Sequence, residues 1–196
     1  MAWLVAGLGN PGERYAATRH NVGLMVAELL VREAGQRFRK VRFVPVEAAE
    51  IRIGDDRVVV ARSTRYMNES GPGYASLAKK HGVEPEHVIA VHDELDIPAG
   101  TIRVKQGGGT SGHNGVRSLA GALRTPEFLR VRVGIGRPPG RQDPADFVLQ
   151  PIAKRDRPDV ELLAAHAADA VRSLVSEGLV PTQDRYNRST PSASAP

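Results

Sequence analysis

The sequence predicts an α/β protein, a single-domain three-layer α/β/α sandwich around a mixed central sheet. Two observations carry this. Short apolar or alternating segments take turns with segments whose apolar residues recur at helical spacing. One tight turn, Gly54-Asp55-Asp56, joins two β-rich runs, so a hairpin interrupts the βαβ order. The 196 residues fit one ordinary domain with a real core. That domain is expected to span residues 1–188, with a Ser/Pro/Ala-rich flexible tail over 189–196.

In chain order, residues 2–8 read as a strand apolar on both faces. Val22, Met25, Val26, Leu29 and Leu30 predict a helix that Gly35 stops. Residues 46–53 and 57–62 form the hairpin strands. Residues 66–81 become helical in their second half, before Gly82 and Pro85. Residues 88–92 are a short apolar run leading into Asp93-Glu94-Leu95-Asp96, and residues 101–105 alternate as a strand. A glycine-rich loop, Gly107 to Gly115, leads into a helix over 116–123. Residues 129–135 alternate Arg130 and Arg132 with apolar residues, which predicts a strand with one polar face. Leu162, Leu163, Ala167, Val171, Leu174 and Val175 mark a strong amphipathic helix over 160–175, closed by Gly178.

Composition narrows the function classes. Hydrophobic residues make up 41% and charged residues 25%, as in soluble globular chains. No apolar run approaches the ~20 residues of a membrane span. No Lys or Arg precedes Arg14, unlike the start of a signal peptide, so a cytoplasmic protein without a membrane partner is expected. The absence of cysteine excludes disulfides, thiolate metal sites and a Cys nucleophile. The net charge of +5 favours a polyanionic partner, nucleic acid first.

Residues 7–12, GLGNPG, carry the G-x-G-x-x-G spacing of dinucleotide loops, but their context is wrong. Pro11-Gly12 makes a turn, residues 13–21 lack apolar periodicity, and no acidic residue ends a second strand ~20 residues on. The glycines instead turn the chain sharply off a strand end and leave Asn10 projecting there. Other polar clusters share that placement: Thr18-Arg19-His20-Asn21, Tyr66-Met67-Asn68, His92-Asp93-Glu94 and His113-Asn114 all lie at junctions between elements. A His beside an Asp can act as a general base. Asn10, Asn68 and Asn114 could grip a peptide or help an oxyanion, since an amide donates and accepts without charge. His92 fits a satisfied core histidine as well as a functional one, and Asn at turns commonly serves the turn itself. His92, Asp93, Glu94 and Asp96 lack ordered metal-ligand spacing, and the glycine loop has His113 where a phosphate loop needs Lys.

Together GLGNPG, TRHNVG, YMNESG, HDELD, GGGTSGHNG and RVRVGIGRPPG, in this order, resemble the bacterial peptidyl-tRNA hydrolases, from about Trp3 to Arg188. The resemblance implies a monomeric α/β/α esterase that needs no metal or cofactor and frees tRNA from peptidyl-tRNA. It implies that His20 is the general base, that Asp93 orients it, and that Asn10 recognises N-blocked substrates. It also implies that Tyr15, Tyr66, Met67, Asn68, His113 and Asn114 contact substrate or line its cleft. Arg103, Lys105 and Arg132 match positions that clamp phosphate at the acceptor end of tRNA, with Arg103 in place of the family's common Lys. The chain departs from the usual glycine-rich loop at Thr110 and Ser111. A non-catalytic RNA-binding protein on the same scaffold is the alternative, and it would tolerate damage to the catalytic pair that is intact here. A metal-assisted hydrolase of similar fold is a third reading, and it would be sensitive to chelators.

Overall fold

Strand β1 (Ala2–Gly7) runs through the middle of a sheet, which is why both its faces are apolar. The computed structural model describes residues 1–188, so the tail expected at 189–196 lies outside the described residues. After β1 come the one-turn helix α1 (Glu13–Ala16), helix α2 (Val22–Glu33), and strands β2 (Arg39–Lys40), β3 (Val46–Ile53) and β4 (Asp56–Ser63). Helix α3 (Gly71–His81), strands β5 (Val88–Glu94) and β6 (Ile102–Gln106), helix α4 (Asn114–Leu123) and strand β7 (Leu129–Gly134) follow. The chain ends with α5 (Pro144–Leu149), the long α6 (Arg157–Glu177) and α7 (Leu179–Tyr186).

The strand order is β2-β3-β4-β1-β5-β7-β6. Strands β4, β1, β5 and β7 are parallel neighbours, whereas β2, β3 and β6 join antiparallel at the two edges. Two apolar layers cover the sheet. On one side Val22, Val26, Leu30 and the stripe Ala164, Ala167, Ala168, Val171 bring α2 and α6 onto Val5, Val60, Val91 and Val131. On the other, Tyr74, Leu77, Val116 and Leu119 bring α3 and α4 onto Leu4, Ala6, Val59 and Ala90. The expected three-layer sandwich with a mixed sheet is therefore the observed fold. No helix among the described residues is long and apolar enough to cross a membrane.

Several local readings needed tertiary information. The region 66–81 is split, with a 3-10 turn over Met67–Glu69 preceding α3, and Pro72 sits in the first turn of α3. The helices α1, α5 and α7 were not expected. Each is short, and each buries one residue or none, so no apolar period announces it. The start of α5 had a readable signal, since Asp143 caps it through Ala145 N–H (2.8 Å) and Pro144 occupies its first turn. The polar face expected for β7 is not solvated at Arg130, which is buried. Its guanidinium stacks on Phe128 and donates to the carbonyls of Gly109 (2.6 Å), Gly108 (2.9 Å) and Pro126 (3.2 Å). Arg130 thereby ties the glycine-rich loop to the sheet. Trp3 is buried and meets the ring of the half-buried His87 edge-on at 4.7 Å.

The glycines of GLGNPG and of TRHNVG have a joint packing role. A side chain on Gly7 would lie 2.5 Å from Ala27 Cβ, and one on Gly23 would lie 2.0 Å from the carbonyl oxygen of Val91. Both glycines let α2 press against the backbone of β1 and β5. Two of the loop's amides are also occupied: Leu8 N–H donates to Val91 O (3.0 Å) and Asn10 N–H to Asn21 Oδ1 (2.8 Å). They do not form an open cradle for a pyrophosphate.

Candidate active site

Parallel strands β1 and β5 are neighbours, so the segments after their carboxyl ends meet. The 3-10 turn Arg19–Asn21 places His20 just before α2, and Asp93 lies one residue from the end of β5. His20 Nδ1 approaches both oxygens of Asp93, at 3.0 and 3.1 Å. From the other side His113 Nε2 approaches Asp93 Oδ1 at 2.8 Å. The backbone settles the tautomer of His113. It is the N-cap of α4, and its Nδ1 accepts from the amides of Gly115 (3.1 Å) and Val116 (3.3 Å). The proton therefore sits on Nε2 and is donated to Asp93.

Asp93 is buried, which by itself would raise its pKa. The positive N–H ends of the His113 and His20 rings, and the hydrogen bonds they make, outweigh this and hold the carboxyl well below the usual carboxylate range. Asp93 is thus a fixed anion receiving two imidazole N–H groups. His20 Nε2 has no partner among the described residues, and His20 lines a cleft of about 320 Å³ with Asp93, Ser111, His113, Asn114 and Val148. Leu149 and Pro144 of α5 also line it, a wall that the sequence motifs did not indicate.

Asn10 is held on three sides. Asn21 grips its backbone with both ends of its amide, Oδ1 to N–H and Nδ2 to carbonyl, each at 2.8 Å. Asn10 Oδ1 accepts from Met67 N–H at 2.7 Å. The Asn10 Nδ2 group has no partner among the described residues and remains a free donor. Asn21, buried at 0% exposure, is the positioning residue that sequence reasoning placed in a polar cluster but gave no role.

The other expected residues fall into three groups. Asn114 lines the His20 cleft, and Met67 is buried against Gly115, where a side chain would meet its sulfur at 2.5 Å. Tyr15 and Tyr66 meet edge to face at 6.2 Å. Asn68 is exposed and lines a separate hollow with Pro45, Arg65 and Ser118, outside the His20 cleft. Arg103, Lys105 and Arg132 share one face of β6 and β7, with Arg103 directly opposite Arg132. Arg132 lies 3.5 Å from Glu94, and Arg103 donates to the Asn187 carbonyl beyond α7.

Among the described residues, the His and carboxylate groups close enough to share a metal ion are His20, Asp93 and His113, not the run His92, Asp93, Glu94 and Asp96. The nitrogens that His20 and His113 turn toward Asp93 carry its hydrogen bonds, which leaves them no lone pair for a cation.

His92 is buried behind this cluster, its ring 4.8 Å from that of His113. Its Nδ1–H donates to its neighbour's carbonyl, Asp93 O, at 2.8 Å, and its Nε2 is unpartnered. Burial first, and the electrostatic effect of the adjoining His113 ring second, push its pKa down to about 3. Between pH 6.5 and 3 the unfolded chain holds a proton here that the folded chain rejects. Stability therefore falls as pH drops through that window, by up to about 1.4 kcal/mol per pH unit from this group. His92→Leu is expected to flatten the decline in unfolding free energy across that window. Parallel wild-type and variant curves in urea would refute it.

Comparison with known proteins places nearly the whole chain in one family. The family model described as peptidyl-tRNA hydrolase matches residues 4–194. The peptidyl-tRNA hydrolase of Frankia alni is 51% identical over 185 residues, covering 94% of this chain and 93% of its own. That of Mycobacterium marinum is 52% identical over 184 residues, covering 94% and 96%. The crystal structure of the Acinetobacter baumannii enzyme superposes with a TM-score of 0.88 at 32% identity, covering 97% of this chain and 96% of that one. Agreement of this extent in sequence, fold and motif order shows that the chain belongs to the peptidyl-tRNA hydrolase family, as an esterase acting on peptidyl-tRNA.

Proposed function

We propose that His20 is the general base of this hydrolysis, that Asp93 and His113 hold it in register, and that Asn10 recognises the peptidyl group. The observation that carries the reading is the fixed direction of two groups. His20 has its Nδ1 side committed to Asp93, so Nε2 is available to take a proton from water. Asn10 has its oxygen committed to Met67 N–H, so only donors are offered to a substrate carbonyl.

The reaction then runs in two steps. Water loses a proton to His20 Nε2 and adds to the ester carbonyl carbon, giving a tetrahedral oxyanion. The bond from that carbon to the ribose oxygen breaks, and His20 returns the proton to the leaving oxygen. The fixed Asp93 anion stabilises the imidazolium in between. An ester has a good leaving group, so no covalent nucleophile is required. Asn114, Tyr15, Tyr66 and Met67 are assigned to substrate contact around this centre, and Asn68, in its separate hollow, to a more distant part of the substrate.

The tRNA acceptor end is assigned to the face of β6 and β7 carrying Arg103, Lys105 and Arg132, the cationic strand surface beside β5. The cluster is complete within one chain, which supports a monomer as the working unit. The composition without cysteine favours the cytoplasm. The alternative, an RNA-binding scaffold without catalysis, is disfavoured by the intact bonds among His20, Asp93 and His113.

The test is release of N-acetylated amino acid from blocked aminoacyl-tRNA by wild type and Asn10→Asp. The carboxylate still accepts from Met67 N–H but has no donor for the substrate. A loss of about 10²-fold in kcat/KM is expected, as for removal of one catalytic donor. An unchanged rate would remove Asn10 from the site.

A further inference from the structure

Residues 37–43 read Arg-Phe-Arg-Lys-Val-Arg-Phe, a basic and aromatic strip at the opposite edge of the sheet from β6. Val44 N–H closes a turn onto Val41 O (3.2 Å), with Arg42 and Phe43 at its centre. Phe43 has φ 64°, at the position where such turns favour glycine. Its ring is 90% exposed, so packing does not explain a phenylalanine there. The Arg42 guanidinium lies over the ring at 4.6 Å.

The nearby carboxylates are already engaged. Arg62 binds both Glu28 and Glu47, which leaves Arg37, Arg39, Lys40 and Arg42 without a carboxylate partner among the described residues. The turn is also on the reactive end of the molecule. Val46, which starts β3, pairs with Ser63 at the carboxyl end of β4, and β4 runs parallel to β1. Two strand spacings, about 10 Å along the sheet, separate β3 from β1 and the loop carrying Asn10. The hollow of Pro45, Arg65 and Asn68 begins at Pro45, two residues after Phe43.

We propose that the Arg42–Phe43 turn is a second tRNA contact, on which an unpaired base of the tRNA's single-stranded 3′ end stacks while Arg39, Lys40 and Arg42 hold its phosphates. It rests on the chain acting on peptidyl-tRNA and adds a site that the Arg103, Lys105 and Arg132 face does not supply. Cationic side chains interleaved with an exposed aromatic ring are the chemistry of single-strand binding, and RNA is the occupant that the uncompensated charge selects.

The experiment measures binding of deacylated tRNA, and of a blunt acceptor-stem duplex, over a series of salt concentrations. Phe43→Gly fits the turn's φ, so its Tm should not fall below wild type. It is expected to weaken tRNA binding by about 5- to 100-fold, to leave the salt slope unchanged, and to spare the blunt duplex. The combined change Arg39→Gln, Lys40→Gln and Arg42→Gln should reduce the magnitude of the salt slope by about 2. Wild-type affinity in Phe43→Gly, or an equal loss on the blunt duplex, overturns the proposal. So does a defect confined to long peptidyl substrates with deacylated tRNA bound normally, which would make the turn a peptide contact. Wild type without affinity for tRNA would instead remove the underlying assignment, and the proposal with it.

Discussion

His20→Ala is expected to cut hydrolysis of N-acetyl-aminoacyl-tRNA by about 10²- to 10⁴-fold, the usual worth of a positioned general base. Binding of deacylated tRNA should be unaffected, because the role proposed for His20 is at the reacting ester and not on the cationic strand face. The fold should survive as well. His20 is partly exposed at the cleft and belongs to neither apolar layer. Asp93 retains His113 as a partner in the variant. Wild-type activity is expected to persist in EDTA, since the imidazole nitrogens facing Asp93 carry hydrogen bonds. Full activity in the variant, or loss of wild-type activity on chelation, would defeat the assignment of His20 as a metal-free base.

The second large effect lies outside the cleft. Gly23→Ala places a Cβ 2.0 Å from Val91 O and 2.8 Å from Leu8 O, both of them backbone atoms that cannot rotate away. Helix α2 must then lift from the sheet. A destabilisation of about 1–3 kcal/mol is expected from this overpacking, seen as a Tm several degrees lower. The catalytic consequence should be larger than the loss of folded protein. His20 sits three residues before Gly23, on the turn that leads into α2, whereas Asp93 rides on β5. Lifting α2 pulls the pair apart, and a misplacement of about 1 Å can cost 10²-fold in rate. Kinetics measured well below the variant's Tm separate the two effects. A variant with unchanged Tm and unchanged kcat/KM would show that α2 has room the structure does not give it.

The sequence was legible wherever one element carried enough residues to display a period. Helices α2 and α6 announced themselves through Val26 and Leu30, and through Ala167, Val171 and Leu174. The apolar β1 signalled a strand covered on both faces, and the hairpin of β3 and β4 showed that the sheet would be mixed. The polar junctions were also visible, since Asn10 and Asp93 stand where an apolar pattern stops and His20 and His113 where one starts. The motif order tied them to one family before any contact was known.

What the chain order alone could not supply is contact between elements. Residue types and local periods determined the fold class, and the resemblance carried by the ordered motifs gave the family and the expected site residues. Tertiary structure decided that Asp93 accepts hydrogen bonds from both His20 and His113, 73 and 20 residues away, because the segments that carry them meet at the carboxyl ends of neighbouring strands. It decided that Arg130, which reads as a solvated strand residue, is buried as the staple of the glycine loop. It also turned Asn10 into a donor, by giving its oxygen to Met67, 57 residues on. The physical reason is one of range. Periodicity and turn chemistry are properties of neighbours within a few residues. The direction of an amide, the tautomer of a ring and the charge of a buried carboxylate are set by whatever the folded chain packs against them.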